Sequence, residues 1–148
     1  MNRPSFLEKI LWIRPGQGVA AAGRIPQEAE FFKDHFPAFP ILPGVLALEI
    51  LKQTAETYLH SQSPPVTGPH FVSRIRGTKF STYLKPGDEW ESRMELIAEE
   101  GGQSHWNGRL LHHGRPAVSS YMTLKPIRTL LPTWLAFLFL AWPGWIAS

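Results

Sequence analysis

A chain of 148 residues is long enough for one well-buried core and too short for two ordinary domains, so a single folded unit is expected. Hydrophobic residues at 43% with 18% charged residues exclude a disordered main body, and the absence of cysteine excludes disulfides, thiolate metal sites and a cysteine nucleophile. Fifteen Lys and Arg against twelve Asp and Glu leave a formal +3 spread along the chain, which suits an acidic partner and argues against nucleic acid.

The opening Met1-Asn2-Arg3-Pro4-Ser5-Phe6 lacks the basic-then-apolar run of a secretory signal, so a cytoplasmic location is expected. Ser5 with Glu8 three residues on fits a capping box, and Phe6, Leu7, Ile10 and Leu11 predict a short helix. Arg14 to Gly18 reads as a turn and Val19 to Ile25 as a short strand of small residues. From Phe31 to Leu42, Pro37 and Pro40 remove donors and bias their predecessors away from the helix, giving an ordered loop that ends at Pro43. Pro43 then opens a helix from Gly44 to His60, in which Leu48, Leu51, Ala55, Tyr58 and Leu59 recur at helical spacing, widened by Ala47, Ile50 and Thr54.

Beyond the proline-containing loop from Ser61 to Pro69, the period changes to two. Phe71 to Phe80, Glu89 to Glu99, Ser104 to His112 and Ala117 to Lys125 are predicted strands, separated by Pro86-Gly87-Asp88, Gly101-Gly102 and His113-Gly114-Arg115. Such short connections predict antiparallel pairing, and hence an α+β fold: one long central helix wrapped by a meander of strands. The folded unit is expected to span 1–127. From Thr129 onward the chain carries no charge, but Pro132 and Pro143 leave only ten residues uninterrupted. This tail, 128–148, reads as peripheral membrane contact or as packing on the sheet rather than as a span.

Candidate chemistry concentrates in the loop and the helix after it. Lys52, Gln53, Glu56 and His60 stand three, four, seven and eleven residues after Glu49, so periodicity alone reads that stripe as a solvated polar face. His112 and His113 are strand neighbours that should face opposite ways, and His70 and His105 have no partner at ligand spacing, so no metal site is expected. Arg74, Arg76 and Lys79 on one strand suit either an acidic partner or a solvated face.

The segment Phe31-Phe32-Lys33-Asp34-His35-Phe36-Pro37-Ala38-Phe39-Pro40-Ile41-Leu42-Pro43-Gly44-Val45-Leu46-Ala47-Leu48-Glu49-Ile50-Leu51-Lys52-Gln53 resembles, without gaps, the signature of the 3-hydroxyacyl-[acyl-carrier-protein] dehydratase family. Phe71 to Asp88 is similar to the strand that follows the helix in that family. The resemblance implies a hotdog fold. It implies a catalytic pair, His35 and Glu49, contributed by different subunits of a homodimer or trimer of dimers. It also implies an acyl carrier protein as partner, its phosphopantetheine bearing the substrate, with no cofactor of the enzyme's own.

In chemical terms, dehydration needs a base for the C2 proton, a role suited to an imidazole titrating near ~6.5, and an acid for the departing hydroxyl, a role open to a buried glutamic acid. The backbone N–H groups of Gly44 and Val45, at the positive end of the helix, would receive the thioester oxygen. Phe36 and Gln53 are expected beside the substrate, with Gln53 also supporting Glu49 one turn away. Phe39, Phe71 and Phe80 are candidate tunnel walls, as is Trp90, although core packing is the ordinary fate of each. Asp34 and Leu42 stand where the family usually has glycine and methionine, and Asp34 would either disturb the loop that holds His35 or add a carboxylate that raises its pKa. Glutamate at 49 resembles the branch that dehydrates without moving the double bond. Two other readings are an acyl thioesterase of the same fold and a carrier-binding subunit without activity.

Overall fold

A computed structural model describes residues 6–27, 41–66 and 68–127. The loop segment with Asp34, His35, Phe36 and Phe39 and the apolar tail 128–148 lie outside the described residues. Among the described residues there are six strands, β1 (Lys9–Arg14), β2 (Gly18–Arg24), β3 (His70–Phe80), β4 (Glu89–Glu100), β5 (Gln103–His112) and β6 (Arg115–Pro126), and one helix, α1 (Gly44–Ser61). All strand pairs are antiparallel, in the order β1-β2-β4-β5-β6-β3.

The helix forms where the sequence predicts it, with Pro43 as N-cap, and it extends one residue further, to Ser61. Its buried positions, Ala47, Ile50, Leu51, Thr54, Ala55, Tyr58 and Leu59, recur every three or four residues and face the sheet. Opposite them, β2 supplies Val19 and Ala21, both fully buried, so modest side chains let the helix approach the sheet closely. Met94, Trp106, Leu110, Met122 and Leu124 complete the core. Burying each large apolar side chain contributes about 1.5–3 kcal/mol, which is why the wrapped helix needs no other support. Two buried polar side chains in the core are matched: Thr54 Oγ1 donates to the Ile50 carbonyl at 2.8 Å, and Trp106 Nε1 donates to Ser104 Oγ at 2.8 Å.

Two sequence expectations are corrected. The residues predicted as a short N-terminal helix include β1, whose Arg14 pairs with Gly18 across a tight turn closed by the Gln17 N–H donating to the Arg14 carbonyl at 2.9 Å. A sheet edge offered by β2, together with the strand preference of Ile10, Trp12 and Ile13, outweighs the capping pattern. The meander is also shorter than expected: β4, β5 and β6 follow one another, but β3 pairs with β6 and β2 fills the place beside β4. The connection 81–88 therefore crosses between strands that are not neighbours. That crossing is tied to both borders of the 28–40 segment. The Leu42 N–H donates to the Leu84 carbonyl at 2.7 Å, and the Ile25 N–H donates to the Asp88 carbonyl at 2.8 Å.

Candidate active site

Among the described residues, the first amides of α1 have no hydrogen-bond acceptor. Leu46 and Ala47 N–H already reach the Pro43 carbonyl, at 3.0 and 3.2 Å, and helix geometry gives the Gly44 and Val45 N–H groups no intrahelical acceptor. The first turn holds no acidic residue and Pro43 makes no side-chain cap, so the helix itself supplies nothing that neutralises the positive end of its dipole. The ring of Phe80, at the end of β3, lies against Gly44, where an added Cβ would meet ring atoms at 2.9 Å. A side chain at this position would displace the Phe80 ring. Val45 is 72% exposed and Phe80 50%, so an apolar, accessible rim surrounds these amides. A helix N-terminus of this kind can accept an oxyanion.

Glu49 lies five residues further along, about 7.5 Å of helix rise, and the Cβ tilt toward the helix N-terminus shortens that distance for its carboxylate. Gln53 Nε2 donates to Glu49 Oε1 at 3.4 Å, while Gln53 Oε1 accepts the Phe6 N–H at 3.0 Å. The expected support of Glu49 by Gln53 is therefore present, and the N-terminal segment braces it. The solvated-face reading fails at this stripe. Lys52 is only 5% exposed, with Nζ 3.9 Å from Glu49 Oε1 and 3.7 Å from Glu56 Oε1, and the Glu56 side chain is almost covered. The buried ammonium was missed by sequence reasoning, yet its signal was legible: Glu49, Lys52 and Glu56 at three- and four-residue spacing.

The other aromatic candidates separate. Phe71 lies at the opposite end of β3 from Phe80, about 30 Å along an extended strand, opposite Lys125. Trp90 is 3% exposed and packs over Gly23 within the core. His35, Phe36 and Phe39 lie outside the described residues. Arg74, Arg76 and Lys79 are exposed, but a register shift between Arg76 and Lys79 breaks their alternation. Arg74 and Arg76 border a cleft of about 460 Å³ with Tyr121, His105 and Glu100.

The histidines also depart from expectation. His112 and His113 do not splay apart: the left-handed conformation of His113, at φ 50°, brings the two rings to 4.1 Å in the β5–β6 turn. His105 Nδ1 lies 2.9 Å from Thr123 Oγ1. His70, predicted to stand alone, has its backbone N–H donating to Glu56 Oε2 at 3.1 Å, with the His60 ring 6.1 Å from its own. No helix among the described residues is long and apolar enough to cross a membrane.

Comparison with known proteins follows the same lines. Residues 13–118 match the ApeI-like family model, described as ApeI dehydratase. Curated relatives are named 3-hydroxyacyl-[acyl-carrier-protein] dehydratase FabZ. The one from Thiobacillus denitrificans is 30% identical over 107 residues, covering 70% of this chain and 74% of the relative. The one from Pediococcus pentosaceus is 30% identical over 95 residues, covering 64% of each chain, so the match spans just under two thirds of that relative. Among solved structures, the dehydratase heterocomplex ApeI:P from Xenorhabdus doucetiae superposes with a TM-score of 0.70 at 14% identity, covering 90% of this chain and 88% of that one. A hypothetical thioesterase from Streptococcus pneumoniae, with coenzyme A, gives a TM-score of 0.59 at 10% identity, covering 79% and 86%. At these identities the structural matches show the fold, which is the hotdog architecture.

Proposed function

The chain belongs to the ApeI-like dehydratase family, and from that premise we propose that it is a hydro-lyase converting (3R)-3-hydroxyacyl-[acyl-carrier-protein] thioesters to trans-2-enoyl thioesters, in fatty-acid or related acyl-chain or polyketide synthesis. The observation that carries the reading is Glu49, braced by Gln53, standing one and a half turns behind the open amides of Gly44 and Val45 on a wrapped helix. A thioester oxygen received by those amides puts the C3 hydroxyl on the side of Glu49. His35 then takes the C2 proton, electrons move into the C2–C3 bond, and the C3 hydroxyl leaves as water with a proton from Glu49. No cofactor enters this scheme, because the phosphopantetheine belongs to the substrate's carrier.

Two finer points belong to the same proposal. The chain acts as a homodimer in which His35 of one copy faces Glu49 of the other. β3 supports this, being an edge strand that exposes Phe71, Ile75 and Phe80. The acyl carrier protein is the partner, and the exposed Arg74 and Arg76 suit its acidic surface. The reaction is placed in the cytoplasm, consistent with a chain free of cysteine.

The test is hydration of a trans-2-enoyl thioester, followed by loss of its ultraviolet absorbance. Wild type should turn over, and Glu49→Gln and His35→Ala should each lose about 10²–10⁴-fold. Activity kept within about tenfold in either variant would overturn the assignment. Release of free thiol from an acyl thioester, measured by thiol trapping, would instead favour the thioesterase, and binding of acylated carrier without turnover would favour the inactive subunit.

A further inference from the structure

At the far end of α1 from Gly44, the last helical turns meet the first residue of β3. Glu56 and His60 are one turn apart and share a helix face. His70 joins them, and one ligand atom from each of the three residues lies within 4.8 Å of the others. The His70 backbone N–H donates to Glu56 Oε2 at 3.1 Å, and the His70 Nδ1 lies 3.8 Å from that same oxygen. His60 Nε2 is 3.1 Å from the Gly68 carbonyl.

A second observation points to a ligand. His70 is 1% exposed, and its Nδ1 is buried with no hydrogen-bond partner among the described residues. That nitrogen stands 3.8 Å from the Glu56 carboxylate, beyond hydrogen-bond reach, so its burial is only partly compensated. Two imidazoles and a carboxylate are a donor set for a borderline divalent cation, Zn²⁺ foremost.

We propose that Glu56, His60 and His70 form a divalent-cation site, taking Zn²⁺ through two imidazole nitrogens and one carboxylate oxygen, with water as fourth ligand. Ligand atoms on a tetrahedral ion lie about 3.3 Å apart, so the cluster must tighten, and the exposed His60 ring is the group free to move. Lys52 approaches Glu56 from the side of Glu49. It contacts the other carboxylate oxygen, Glu56 Oε1, and shares its charge with Glu49. A cation at the C-terminal end of α1 also meets the negative end of the helix dipole. The ion would clamp the end of α1 to the start of β3, a structural role independent of the proposed dehydration.

The test uses the full chain, stripped with chelator and then titrated with Zn²⁺ by calorimetry and with Co²⁺ by visible absorption. Expected are one ion per chain with Kd below about 1 μM and a nitrogen- and oxygen-ligated Co²⁺ spectrum. His60→Ala, at an exposed position, should keep the metal-free Tm, weaken binding more than about tenfold and abolish the Zn²⁺-induced rise in Tm. Glu56→Gln and His70→Gln should weaken binding likewise, while His112→Ala in the β5–β6 turn should not. Absence of stoichiometric binding in wild type, binding unchanged by His60→Ala, or binding lost in His112→Ala would each overturn the proposal.

Discussion

Lys52→Met would show whether the buried ammonium holds the carboxylate stripe of α1 in place. Its Nζ lies 3.9 Å from Glu49 Oε1 and 3.7 Å from Glu56 Oε1, and its side chain is 6% exposed. At an effective dielectric of about 20, each pair has a gross attraction of about 4 kcal/mol, against a desolvation cost of several kcal/mol for burying the ammonium. The net worth of the pairs is therefore much smaller than their sum. The cost of removing one partner is set instead by what remains. Glu56, 12% exposed, is left to the neutral His70 N–H, whereas Glu49, 27% exposed, keeps Gln53 and reaches water more easily.

Losing one partner of a fully buried pair costs about 3–5 kcal/mol. Methionine keeps the aliphatic stem and Glu49 is partly solvated, which brings the expected loss to about 2–3 kcal/mol. For a chain of this size that is a fall in Tm of about 5–10 °C. Urea and thermal denaturation followed by tryptophan fluorescence would measure it. Adding Glu56→Gln to Lys52→Met removes the stranded charge, so the double variant should be more stable than the sum of the single effects by at least about 1 kcal/mol. Wild-type stability in Lys52→Met, or additivity within about 0.5 kcal/mol, would refute the reasoning.

Gln53→Ala removes the carboxamide between the Phe6 N–H and Glu49, so stability should fall by about 1–2 kcal/mol and kcat by about tenfold, with KM little changed in steady-state assays. Gly44→Ala sets a methyl 2.9 Å from the Phe80 ring at the mouth of the site, and kcat/KM should drop about tenfold. Phe80→Ala in the same chain should restore part of that loss. Gly18→Ala drives a Cβ into the Met94 carbonyl oxygen at a φ of +156°, and denaturant titration should show a loss of about 3 kcal/mol or more. Burial lowers the His70 pKa below its ordinary 6.5, so folding favours the neutral ring. That contribution is complete above pH 6.5 and is lost as pH falls from there through the lowered native value. In metal-free protein, wild-type Tm should therefore fall more steeply on acidification than that of His70→Gln; equal slopes would contradict the assignment.

Much of the fold was readable because its signals are local. The spacing of Ala47, Ile50, Leu51, Ala55 and Tyr58 names the helix and its buried face, and Pro43 names its start. The alternation from His70 to Pro126, punctuated by glycine turns, names four strands. The motif from His35 to Gln53 carried the chemistry, since unusual residues at fixed separations outweigh the bland reading of any one of them.

What stayed hidden was decided by distant partners. A capping pattern at Ser5 and Glu8 lost to a sheet edge, because β1 could satisfy its backbone on β2. The place of β3 beside β6 depends on which edge remained open, which no window of sequence records. Lys52 sits on a stripe that helical periodicity assigns to solvent, and only the chain folding over it makes it a buried charge between two carboxylates. His70 had no partner within ligand spacing along the chain, and the packing of β3 against the end of α1 supplied Glu56 and His60. The sequence by itself determined the helix and the strands and pointed to the proposed reaction class, since these follow from periodicity and motif. Tertiary structure alone decided strand order, the burial of Lys52 and the convergence on His70, since those depend on residues far apart in the chain.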